Sequence, residues 1–284
     1  MIKIYSTCYR SIPLILLGIF VGVNANYALA WGPEGHQTTG YIAQSLLTPE
    51  ARIRLNEIMP GIDLGQTATW MDDQRVELKK STPGSAQWHF YNLPVCDNKP
   101  KKDLCPGGNC AIYRIDEYSK VLADPKASKE DKLFAVRVIV HVVGDLHQPL
   151  HAGDNNDRGG NQVKVGEYTN LHSEWDNAFV KKLARGKNSK KLADELATRY
   201  SAEAQIWQTG EPLNWANESN QAARKIAYGE LPGFNCDVSY LFIEKLPKSY
   251  VDESQPVVER RLAMAGFRIA YVLNTALTKQ SSKE

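Results

Sequence analysis

The sequence contains six histidines, His36, His89, His141, His147, His151 and His172, and each falls in a cluster with a carboxylate, an aromatic ring or another histidine. In "HVVGD", His141 and Asp145 stand four residues apart, so on a helix both leave one face about a turn from each other. "HSEWD" repeats the spacing with His172 and Asp176. One such pair is explained equally well by a core histidine bonded to a carboxylate. Two pairs, with "LHQPLHAGD" immediately after the first, are not, because Pro149 ends the first helix and lets His151 turn toward the same cavity without keeping helical register. Neutral imidazoles with carboxylates are the donors zinc takes, at about 2.0–2.2 Å. Asp72 in "WMDDQR" and His89 in "WHFYN" enlarge the set beyond the needs of one tetrahedral ion.

These residues need a scaffold, and the sequence reads as helices joined by irregular loops. "TPEARIRLNEIM" opens with Thr48 as N-cap and Pro49 in the first turn, and "SKEDKLFAVRVIVHVVGDL" opens with Ser128 and Asp131 in a capping-box arrangement. Apolar recurrence at three and four residues predicts further helices near 36–47, 66–76, 111–123, 170–184, 190–208, 214–228 and 256–278. Strand signals are few and short, such as "NQVKV". The expected class is all-α, one domain over residues 31–284, with long loops at 77–110, 150–169 and 229–251.

Residues 1–30 read as a cleaved secretory signal peptide: Lys3 and Arg10, the apolar run "IPLILLGIFVGV", then Ala28-Leu29-Ala30. The apolar run is about a dozen residues where a membrane span needs roughly 20. Cleavage would leave Trp31 first, with His36 five residues on in "WGPEGH". It would also remove two basic residues and equalise bases and acids at 32 each, so nucleic-acid affinity must come from a local site rather than from net charge. Four cysteines would remain, and an even number in an exported chain favours two disulfides with three possible pairings. Cys105 and Cys110 bracket the turn-rich "PGGN", which favours their pairing and leaves Cys96 for Cys236. A zinc ribbon would need paired short cysteine spacings that are missing.

"WGPEGH", "WMDDQR", "WHFYNLP", "HVVGDLHQPLHAGD", "GGN" and "NLHSEWD", in this order along the chain, resemble the zinc-dependent single-strand-specific nucleases of fungi and plants. The resemblance implies three zinc ions. The first would take Asp72, His89, His141 and Asp145, and the second His151, His172 and Asp176. The third would take His36, a bridging Asp145, and the amine and carbonyl of Trp31. His147 matches a position that is not a ligand. Asp72 and Asp145 would thus sit at the catalytic centre, with Arg75 stabilising charge on the phosphate. Phe90 would stack a base, with Asn92, Gly159 and Asn161 at the base edge. Asn92 departs from the fungal pattern, which has aspartate there, so base preference does not carry across.

The implied activity is hydrolysis of single-stranded RNA and DNA to 5′-phosphorylated products, with 3′-nucleotidase action on nucleotides. The implied setting is a monomer in the periplasm or secreted, with no membrane attachment after signal cleavage. Two rivals stand beside it. Zinc phospholipase C has its first histidine farther from the N-terminal tryptophan and ends its last helical pair in glutamate. A non-catalytic exported zinc-binding protein would have no use for Arg75 and Phe90 beside the ligands.

Overall fold

The computed structural model describes residues 31–97, 103–237 and 241–278, so the expected signal peptide lies outside the described residues. The molecule is mainly helical. Helix α1 is Pro33–Ser45, α2 is Pro49–Ile58, α3 is Leu64–Asp73 and α4 is Arg75–Ser81. A two-residue strand β1 (Leu93–Pro94) precedes α5 (Ala111–Ala123) and α6 (Lys129–Leu146). Then come α7 (Pro149–Ala152), β2 (Gly153–Asp154), β3 (Val163–Val165), β4 (Thr169–Asn170) and α8 (Leu171–Ser173). The second half holds α9 (Phe179–Ala184), α10 (Ser189–Arg199), α11 (Ala204–Trp207), α12 (Pro212–Ala222), β5 (Leu241–Ile243) and α13 (Lys248–Thr278).

Thr48 accepts the Ala51 N–H and Ser128 the Asp131 N–H, which starts α2 and α6 where the sequence placed them. The expected capping box at Ser128 is only half formed, because the Asp131 carboxylate accepts from the Ser128 hydroxyl at 2.7 Å rather than from its backbone N–H. From Val138 to Leu146 every described residue of α6 is fully buried, so this is the central helix, apolar on all sides except where His141 and Asp145 interrupt it. One apolar core lies among α2, α3, α5, α6 and the end of α13; a second gathers Trp31, α9, α10 and the middle of α13. Helix α1 crosses α3 and α13 at distances only glycine allows: a Cβ on Gly40 would fall 2.2 Å from the Leu64 carbonyl oxygen, and one on Gly266 2.4 Å from the Ile42 Cβ.

Several boundaries differ from expectation. The helix expected at 66–76 breaks at Gln74, which ends α3 and starts α4. The 170–184 helix is continuous but has a π-helical turn at Glu174–Ala178, and α12 runs on into another at Ala223–Ala227. The 190–208 stretch divides at Tyr200. The last helix, expected near 256–278, starts earlier, at Lys248, and passes through Pro256. One missing N–H does not stop it, because Tyr250, Ser254 and Val258 are buried on both sides of that proline. The strands form a parallel β1–β2 pair and a β4–β3–β5 sheet, with β3 inside "NQVKV". Disulfides join Cys96 to Cys236 and Cys105 to Cys110.

Candidate metal centre

The end of α6 supplies His141 and Asp145, both fully buried. Nδ1 of His141 donates to the Ala68 carbonyl of α3 at 2.6 Å, which fixes the orientation of the ring and turns Nε2 inward. Asp145 lies among three imidazoles. Its Oδ2 is 2.9 Å from His89 Nδ1 and 3.2 Å from His141 Nε2, while Oδ1 is 3.1 Å from His36 Nε2. His36 comes from α1 and stacks on His141 with ring centroids 4.1 Å apart. Asp72, near the end of α3, faces the same space from 3.9 Å to His36 and 3.9 Å to His141.

A second cluster adjoins the first. Its His151, from α7, donates Nδ1–H to the His89 carbonyl at 2.6 Å, and His172, from α8, donates Nδ1–H to the Gly159 carbonyl at 2.6 Å. Their Nε2 atoms then face each other at 3.0 Å, and Asp176 lies 3.4 Å from His172. Gln148 donates to Asp176 Oδ1 at 2.6 Å.

Burial dominates the electrostatics. It lowers His151 to about 3 and His172 to about 4, with neighbouring His172 adding to the first shift and Arg75 to the second. Burial also lowers His36 and raises Asp176 well above the usual carboxylate range. At His141 burial is outweighed by Asp145 and Asp72, which raise it to about 9; Asp145 in turn is held well below its usual value against burial, mainly by His141.

This arrangement fits metal ions. Two neutral imidazoles whose Nδ1 protons are already donated turn lone pairs at each other, which is repulsive unless a cation lies between them. Both ring nitrogens of His36, Oδ1 of Asp72 and Oδ1 of Asp145 are buried without a hydrogen bond, although His36 and Asp145 nearly touch. Three sets gather donors within 4.8 Å: His36, Asp72 and His141; His89, His141 and Asp145; His151, His172 and Asp176. Donors around a tetrahedral zinc at about 2.0–2.1 Å lie roughly 3.3 Å apart, close to the separations seen here. The proton held on His141 makes the same point, since it puts a positive charge where a cation would be.

The other expected residues fall around this centre in different ways. Trp31 is fully buried, and the Gly32 N–H beside it donates to the Asp176 carbonyl at 2.9 Å. Arg75 opens α4, past the break at Gln74, and its charge is felt at His172. Phe90 and Asn92 are half-buried in the segment between His89 and β1. The pairing of Leu93 with Gly153 and Pro94 with Asp154 sets that segment beside the loop of Gly159 and Asn161. Asn161 donates to the Arg158 carbonyl at 2.7 Å, and Gly159, with φ of +63°, presents its carbonyl to His172. His147 faces away, donating to the Val143 carbonyl at 2.7 Å and accepting from Arg268 at 3.0 Å.

The sequence reading missed Gln148 and the three carbonyls of Ala68, His89 and Gly159. Gln148, between the histidines of "HQPLH", carried a faint signal; a carbonyl carries none, since every residue has one.

The family model for S1/P1 nuclease matches residues 31–278. Nuclease S1 of Aspergillus oryzae is 30% identical, over 90% of this chain and 95% of that protein. Endonuclease 3 of Arabidopsis thaliana is 31% identical over 88% and 90%, and nuclease P1 of Penicillium citrinum 29% over 86% and 97%. Buried imidazoles and carboxylates poised for metal, on a helical frame that matches along nearly all its described length, thus have their explanation: the chain belongs to the S1/P1 nuclease family and is a hydrolase that cleaves the phosphodiester bonds of nucleic acids.

Proposed function

We propose that the protein is an exported nuclease holding three zinc ions, which cuts single-stranded RNA and DNA to 5′-phosphorylated products and removes 3′-phosphates from nucleotides. The observation that carries this is Asp145, whose two oxygens face different imidazoles, Oδ1 toward His36 and Oδ2 toward His89 and His141. A carboxylate so placed is suited to bridge two cations. Asp72, His89, His141 and Asp145 would hold the first, His151, His172 and Asp176 the second, and His36, Asp145 and the amine and carbonyl of Trp31 the third. Zinc bound there supplies Lewis acidity and lowers the pKa of water, which hydrolysis of an unactivated phosphodiester at neutral pH requires.

The chain's own residues do the rest. His151 and His172, kept neutral by burial, have no proton to lose on binding metal at neutral pH. Arg75 meets the equatorial phosphate oxygens as their charge develops. Phe90 stacks one base, which must leave a duplex to reach it; this favours unpaired strands. Asn92, Gly159 and Asn161 meet that base at its edge, and the Asn92 amide can both donate and accept. Contacts to the phosphate backbone leave the cut tolerant of sequence.

The test is cleavage of single-stranded and duplex RNA and DNA by chelated and zinc-restored protein, with the product ends identified. Zinc-dependent release of 5′-phosphates from single strands is expected. Zinc-loaded protein that leaves both nucleic acids intact would make it a zinc-binding protein, and cleavage of phosphatidylcholine instead would make it a phospholipase.

A further inference from the structure

Behind the second cluster, the chain from Asn156 to Gly160 is unusual. Four of its five residues have positive φ: Asn156 at 60°, Arg158 at 63°, Gly159 at 63° and Gly160 at 80°. Asn156 and Arg158 are strained there, so the turn persists only if something holds it. Asp157, the one residue between them, is 1% exposed. Its Oδ1 accepts the Gly160 N–H at 2.8 Å and the Tyr228 hydroxyl at 2.7 Å, and Tyr228 is fully buried. Asp154 Oδ1 takes the N–H groups of Asp157 at 3.1 Å and Gly159 at 2.9 Å.

What this turn presents is the Gly159 carbonyl, and that carbonyl takes the Nδ1 proton of His172. The hydrogen bonds also lead back to the ligand-bearing helix. Trp175, beside Asp176, donates to the Tyr250 hydroxyl at 3.0 Å, and Tyr250 donates to the carbonyl of Ala227, next to Tyr228, at 2.7 Å. Both ends of the pair His172 and Asp176 are thus tied to residues 227–228.

We infer that Asp157, clamped by Tyr228, is a positioning residue for the second metal site: it holds the glycine turn so that the Gly159 carbonyl fixes the tautomer and direction of His172. This rests on the three-zinc reading above only for what His172 binds; the orientation of the ring stands apart from it. A carbonyl that fixes the far nitrogen of a ligand histidine affects metal affinity by roughly 10- to 100-fold.

The experiment compares wild type with Asp157→Ala, Asp157→Asn and Tyr228→Phe, by zinc transfer to a competing chelator and by NMR of the His172 Nδ1 proton. Asp157→Ala should weaken one zinc equivalent at least about tenfold, leave the others in place, and expose the His172 proton to rapid solvent exchange. Asp157→Asn keeps an oxygen that can accept both hydrogen bonds and should restore wild-type behaviour; Tyr228→Phe should fall between. An unaltered His172 proton in Asp157→Ala, or an equal loss of all zinc together with stability, overturns the inference. Wild type with a protected His172 proton that is lost in Asp157→Ala, but with no zinc, would overturn the metal reading and leave the positioning role standing.

Discussion

Asp145 is the residue on which the centre turns, because among the described residues no other carboxylate meets three imidazoles. Asp145→Asn should therefore abolish nuclease activity and release more than one equivalent of zinc, measured by metal analysis of the purified variant. Loss of less than one equivalent with activity retained would show that it does not bridge. Phe90 follows His89 directly but is not itself a donor, so Phe90→Ala should raise KM for single-stranded substrate, by roughly 1–3 kcal/mol of lost stacking, with zinc content unchanged. Steady-state kinetics identical to wild type would return Phe90 to a packing role.

At the level of elements, α6 is capped at one end and carries the proposed ligands His141 and Asp145 at the other. Ser128→Ala removes the cap and should cost about 1 kcal/mol in denaturant unfolding while zinc content stays whole, since His141 and Asp145 lie several turns away. Zinc loss in that variant would mean that the helix frays much farther than a cap should allow. Ser128 and Thr48 were legible in the sequence because capping is local chemistry, and the paired spacings of His141 with Asp145 and His172 with Asp176 were legible for the same reason. The π-helical turn at Glu174–Ala178 was not, since one extra residue barely disturbs the apolar recurrence on either side. Nor was the break at Gln74, across which that recurrence continues; it moves Arg75 from the helix of Asp72 to the start of the next. What holds each histidine, at Ala68, His89 and Gly159, is main chain brought from elsewhere by tertiary structure, and it becomes visible only once the fold is known.

For the molecule as a whole, zinc-free protein should be most stable near neutral pH. His151 and His172, at about 3 and about 4 when folded against 6.5 when unfolded, leave the unfolded chain binding more protons as pH falls below 6.5, so stability drops on the acid side. His141, at about 9, contributes stability that is full below 6.5 and is lost as pH rises through about 9. Zinc replaces that proton and should remove the alkaline decline. Melting curves across pH with and without chelator test this, and zinc-free protein whose stability is flat on the alkaline side would contradict it. A chain with one extra methionine before Trp31 offers an amide nitrogen, a poor donor, where the proposed third site would take an amine. It should keep two zincs, lose the third and lose most activity; equal metal and equal rates would exclude the amine. The bond from the Gly32 N–H to the Asp176 carbonyl joins the start of this segment to the last of the proposed ligands. A nascent chain cannot make that contact until residue 176 has been synthesised and folded. If residues 1–30 are a leader and the Trp31 amine is a ligand, as proposed, then a cell producing this enzyme would carry it as an unarmed chain, and its own transcripts would be spared until the protein had left the compartment that holds them.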